Sequence, residues 1–109
     1  MATPIFQPVP SVMFVGSDEE LARECAEALP ALPLLRVAHA AGAVERMLVT
    51  RPLVVVIDAS IKDTTVAPVI DCAADIRAEV IRESSEVRGR LAEAVRAAAL
   101  VAERNRSGA

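Results

Sequence analysis

The sequence predicts an α/β fold built on a doubly wound parallel sheet, and three observations carry the prediction. The run Leu53-Val-Val-Val-Ile57 is five consecutive apolar residues, mostly β-branched, which suits a strand buried on both faces. Val12-Met-Phe-Val15 has the same character and is followed at once by a helix-start signal. Helical patterns separate these strands, which is the alternation of a parallel sheet covered by helices. A carboxylate, Asp58, stands at the carboxyl end of the second run, where open α/β sheets keep their chemistry.

Each element follows from local signals. Pro4, Pro8 and Pro10 make residues 1–10 an extended leader, which is expected as a disordered tail, with Ile5, Phe6 and Val9 permitting the alternative that it lies over an exposed apolar surface. Ser17 is the expected N-cap of the first helix and Glu20 its capping-box partner, with Asp18 and Glu19 favourable at the helix N-terminus. Leu21, Cys25, Ala28 and Leu29 form its buried stripe. Pro30 and Pro33 end it and lead into a strand near Leu34 to Ala38. Gly42 opens a short second helix with Val44, Met47 and Leu48 facing inward, and His39 before it is a loop residue. Thr65 is the expected cap of a further helix with Pro68 in its first turn.

From Val66 onward the apolar positions advance in alternating steps of four and three. They run Val66, Ile70, Ala73, then Arg77 as an exception, Val80, Ser84, Val87, Leu91, Ala94, Ala98 and Val101, flanked by Ile81 and Val95. The rhythm favours one helix from about Val66 to Glu103, or two with a slight break near Ser84 to Gly89. At about 1.5 Å per residue a single helix would be roughly 55 Å long and would project beyond its own sheet. Its stripe would then need a partner, most simply the same helix of a second chain. Helix over 66–77, strand over 79–83 and helix over 85–104 is the competing arrangement; its strand has only Val80 and Ile81 as apolar residues. A strand at Ala67-Pro-Val-Ile70 is refused, because a parallel crossover needs a dozen or more residues after Asp58. With three strands in spatial order 2-1-3, the third would be an exposed edge in need of cover.

Val12-Met-Phe-Val-Gly-Ser-Asp18 with Glu19, Glu20 and Leu21, then Val37-Ala-His-Ala-Ala-Gly42, then Pro52 to Asp58, resemble bacterial response-regulator receiver domains in order and spacing. The resemblance covers residues 11 to 60. It implies a flavodoxin-like (receiver-like) parallel sheet, truncated after the third or fourth strand, with a long C-terminal helix. It divides the chain into a Pro-rich leader (1–10), a receiver-like core (11–65) and a C-terminal helical segment (66–109). It also implies that Asp58 stands at the phosphoacceptor position.

The departures point away from catalysis. Receivers place two acids after the first strand to hold Mg²⁺, and those positions are Gly16 and Ser17, with Asp18 one step later. Phosphoryl transfer needs a cation against the developing charge, and Mg²⁺ usually takes one or two protein carboxylates. The chain's one lysine, Lys62, lies four residues past Asp58 and cannot serve as the lysine that follows a fifth strand. Ser84 or Ser85 is the only offer for the hydroxyl after the fourth strand. The expected protein is therefore a pseudo-receiver: no enzyme, no cofactor, a protein–protein adaptor in bacterial signalling or localisation, homodimeric through Val80, Ser84, Val87, Leu91, Ala94, Val95, Ala98 and Val101. The alternatives are a working phosphoacceptor at Asp58 with Asp18 beside Mg²⁺, and a structural oligomerisation element.

Composition closes off other classes. The 109 residues carry 12 Lys and Arg against 15 Asp and Glu, so no basic footprint for nucleic acid appears. Tyr and Trp are absent and two Phe remain, too few for a base-stacking platform. There is no Gly-rich phosphate loop. Cys25 and Cys72 lack ligand spacing and suit buried thiols in a reducing cytoplasm. No run approaches a membrane span, and no signal peptide is evident at the start.

Overall fold

A computed structural model describes residues 9–84, 87 and 89–107. Four parallel strands lie in the order β2-β1-β3-β4. The strands are β1 (Val12–Val15), β2 (Leu34–Val37), β3 (Val54–Ile57) and β4 (Glu79–Arg82). Four helices among the described residues are α1 (Glu19–Ala28), α2 (Ala40–Thr50), α3 (Asp63–Asp75) and α4 (Leu91–Ser107). Among the described residues the order matches the first four strands of the flavodoxin-like 2-1-3-4-5.

β1 and β3 are buried at every residue because they are central and covered on both faces. Alternation splits their side chains between two cores. Met13, Val15, Val55 and Ile57 pack under α2 and α3 with Met47, Val66 and Val69. Val12, Phe14, Val54 and Val56 pack under α1 and α4 with Leu21, Cys25, Leu91 and Val95. Cys25 and Cys72 are free, buried, and on opposite sides of the sheet. Burial pushes the Cys25 thiol up to about 12, with Glu24 adding to it, so it stays protonated.

The continuous helix over 66–103 does not form. α3 stops at Asp75, and Arg77 takes a left-handed φ of 58°. The Ala78 N–H donates to the Ala73 carbonyl at 2.8 Å and the Arg77 N–H to the Ala74 carbonyl at 3.1 Å. These two bonds make a Schellman ending, and Ala73 and Ala78 are both buried in the same core. Glycine is the usual residue at the left-handed position, and a non-glycine there costs roughly 1–2 kcal/mol. No glycine marked the stop, so the helical rhythm ran through it. The chain then forms β4, and the order becomes four-stranded. β3 is therefore internal, and the exposed edge falls on β4, whose four residues are all half-buried. Charge at Glu79 and Arg82 belongs to an edge strand, which explains why β4 lacks the apolar run of β3.

Three smaller corrections follow from hydrogen bonding. Asp18, and not Ser17, caps α1: its Oδ1 accepts from the Glu20 N–H at 3.1 Å and the Leu21 N–H at 3.2 Å. α2 begins at Ala40, before Gly42, and Leu48 points outward at 62% exposure while Met47 is buried. α3 begins at Asp63, so Thr65 lies inside its first turn, with its hydroxyl donating to the Lys62 carbonyl at 2.8 Å. Pro68 consequently sits within the helix.

Candidate functional site

In a sheet of order 2-1-3-4 the chain leaves β1 and β3 toward opposite faces, and the crevice between their carboxyl ends is the expected ligand site. Both loops reach it here. Asp58 follows β3 directly and is 5% exposed. Its backbone N–H donates to the Val15 carbonyl at 2.9 Å, which fixes it beside the end of β1.

The Asp58 carboxylate is held by backbone amides on both oxygens. Oδ2 accepts from the Ser17 N–H at 3.2 Å and the Asp18 N–H at 3.1 Å. Oδ1 accepts from the Ser60 N–H at 3.1 Å. Burial alone would raise its pKa, but the hydrogen bonds from Ser60, Asp18 and Ser17 outweigh it and hold the carboxyl below the usual carboxylate value. Asp58, ionised at neutral pH, thus ties the β1–α1 loop to the β3–α3 loop.

Gly16 makes that closure sterically possible. Its φ is +143°, and a Cβ placed there would lie 2.2 Å from Asp58 Cβ and 2.7 Å from Asp58 Oδ2. The backbone of the β1–α1 loop therefore rests on Asp58 where a side chain would otherwise stand. Gly16 is buried, Ser17 exposed and Asp18 half-buried. Oδ1 of the Asp18 carboxylate caps α1.

The residues present do not fit Mg²⁺. Gly16 and Ser17 beside Asp58 carry no carboxylate, Asp18 Oδ1 accepts from the amides of α1, and Asp58 is wrapped in N–H donors that a cation would have to displace. Among the described residues no group of three His, Cys, Asp or Glu side chains is placed to hold a metal ion.

Glu83 is the site residue that sequence reasoning missed. It follows β4, is 9% exposed, and its Oε2 accepts from the Ala59 N–H at 3.0 Å. Its neighbour Arg82 donates to the Ile61 carbonyl at 3.0 Å and pairs with Asp63. The end of β4 thereby clamps the loop that follows Asp58. Only the placement of β4 beside β3 could reveal this, since Glu83 looks like surface charge in the sequence. Ser84, one offer for the hydroxyl, is exposed, and Ser85 lies outside the described residues. Lys62 is exposed at the N-cap of α3, and His39 is exposed at that of α2.

The expected dimerisation residues divide. Leu91 and Val95 are buried in the core beneath α4, together with Ala99 and Ala102, so the inward stripe is Leu91, Val95, Ala99, Ala102. They face the chain's own sheet and are not offered to a partner. Val80 and Val87 are half-buried against the two cores, and Ala94 and Ala98 are half-buried. Val101 and Ser84 are exposed.

No family model matches this chain, and no curated protein matches it. Among solved structures it is similar to a de novo designed Rossmann 2x3 fold protein determined by solution NMR. The identity is 15%, the TM-score 0.53, and the match covers 73% of this chain and 70% of that one. That likeness shows the fold: an α/β, Rossmann-like parallel sheet. Among the described residues no helix is long and apolar enough to cross a membrane.

Proposed function

We propose that this chain is a non-catalytic, receiver-like interaction module that works as an adaptor in bacterial signalling or protein localisation, as a homodimer. The strand order and the place of Asp58 at the end of β3 support the receiver-like part of this reading. The observation that carries the non-catalytic part is the seat of Gly16 on Asp58. A phosphoacceptor needs one oxygen free to attack and a cation beside it. Here Oδ2 accepts from two amides and lies against the Gly16 backbone, where a cation would have to fit, while Oδ1 accepts from the Ser60 amide alone. Recognition then rests on fixed surfaces and not on a phosphoryl switch.

Incubation of the full chain with acetyl phosphate and Mg²⁺, read by intact mass, tests this. The expected result is no phosphoryl adduct. An adduct present in the native chain and lost in Asp58→Asn would overturn the proposal in favour of a phosphoacceptor.

A further inference from the structure

Gly16 and Asp58 close the crevice at its centre, but on the face covered by α2 and α3 it stays open. β2 and β3 both lead into helices on that face, whereas β1, which lies between them, sends its chain to α1 on the other. No segment from β1 therefore fills the space between the starts of α2 and α3. A cavity of about 780 Å³ lies there, walled by residues between 39 and 45 and between 60 and 68. That volume is the size of a small-molecule site, and the carboxyl ends of the strands are where a sheet of this order takes ligands.

The lining gives the chemistry of the occupant. Val44 and Ile61 are half-buried, pack on the core beneath, and make an apolar part of the wall. His39 and Lys62, the chain's one lysine, make the basic part. Both are exposed, and neither side chain has a hydrogen-bond or ion-pair partner among the described residues. Acids that could quench them are engaged elsewhere or absent: Asp63 pairs with Arg82, and the first turn of α2 carries none. Among the described residues Glu45, one turn into α2, is the one carboxylate in the wall. One ammonium, one imidazole and one nearby acid suit a singly charged carboxylate better than a dianionic phosphate.

His39 and Lys62 also break the same local rule. Each stands at the N-cap of its helix without capping it, where Asp, Asn, Ser or Thr would satisfy the first amides. A cation at that place also opposes the helix dipole. α1 starts outside the cavity and has the ordinary cap in Asp18. Two departures of one kind, both in the wall of one cavity, are what a chain shows where local stability is given up for a ligand. We infer that this cavity binds a small organic acid, its apolar body against Val44 and Ile61 and its carboxylate between His39 and Lys62. The inference goes beyond the adaptor reading and leaves Asp58 unused, so it stands or falls apart from the acetyl phosphate test.

The probe is 2-naphthoate, titrated into the ¹⁵N-labelled full chain and followed by amide chemical shifts. Saturable shifts centred on residues 39–45 and 60–68 are expected. Binding should be weaker by roughly tenfold or more for 2-naphthylmethanol, which keeps the body and lacks the charge, and for inorganic phosphate, which lacks the body. His39→Asp and Lys62→Glu put acids at the two N-caps. Each should weaken naphthoate binding by roughly tenfold or more and leave the thermal midpoint unchanged or higher, because an acid suits a helix start. No saturable shifts, shifts centred elsewhere, or equal binding of the alcohol or of phosphate would overturn the inference. So would full binding in either variant. Weaker binding together with a lower midpoint would also overturn it, by assigning His39 and Lys62 to the fold.

Discussion

The crevice between β1 and β3 and the edge of β4 are opposites. The first is where a sheet of this order would take a ligand, and the chain has filled it: Gly16 lies on Asp58, and Asp58 spends both oxygens on neighbouring amides. The second is where a sheet would continue, and among the described residues no further strand pairs with it; its residues are half-buried along its length. The difference teaches that a sheet of this order can close the crevice between two central strands with backbone contact and amide hydrogen bonds while its marginal strand stays half-buried. It also separates two kinds of residue. Those at the crevice join the loops after β1 and β3, and those of β4 pack against the two cores and, through Arg82 and Glu83, hold the loop after Asp58.

The largest expected effect breaks the crevice. Gly16→Asp would place a second acid beside Asp58, but its Cβ would fall 2.2 Å from Asp58 Cβ at a φ that side chains rarely adopt. It should destabilise by about 4 kcal/mol or more in urea unfolding, and bind Mg²⁺ no better than the native chain. Next is Leu91→Ala beneath α4, where a 2% exposed side chain leaves a cavity. A loss of about 3 kcal/mol is expected by the same measurement. Asp58→Ala comes third, at about 2 kcal/mol, because the Ser17, Asp18 and Ser60 amides lose their acceptor.

The same carboxylate gives a pH dependence. The folded pKa of Asp58 lies below the ordinary 3.8, so its ionised form adds stability that is fully present above that value. This contribution is lost as pH falls through the lower folded pKa. Unfolding midpoints measured from neutral pH into acid should therefore fall less steeply in Asp58→Asn than in the native chain. The smallest effect sharpens the comparison from the edge side. Val101→Ala, at 37% exposure, should change monomer stability by less than about 0.5 kcal/mol. A large loss there would mean that the edge is part of the core.

How much was legible varies with what each residue's neighbours contribute. β1 and β3 were legible because a strand covered on both faces must be apolar at every position, whatever covers it. Asp58 was legible by its place at the end of such a strand. The cap of α1 was read one residue early, since Ser17 and Asp18 are both good capping residues and the choice belongs to the loop that Asp58 holds. Glu83 was illegible, because its partner amide is 24 residues away.

The C-terminal half shows the limit most clearly. Its helical rhythm is real in α3 and α4, but a left-handed Arg77 interrupts it, and no glycine announced that turn. By itself the sequence determined the α/β class, the two central strands and the acid at the carboxyl end of one of them, because burial on both faces and helical periodicity are written into residue type. Only the tertiary structure decided that residues 79–82 pair with β3, that Leu91 and Val95 turn inward, and that Gly16 closes on Asp58. Those outcomes depend on contacts between distant segments, and a half-buried edge strand draws its stability from the strand it pairs with more than from its own side chains.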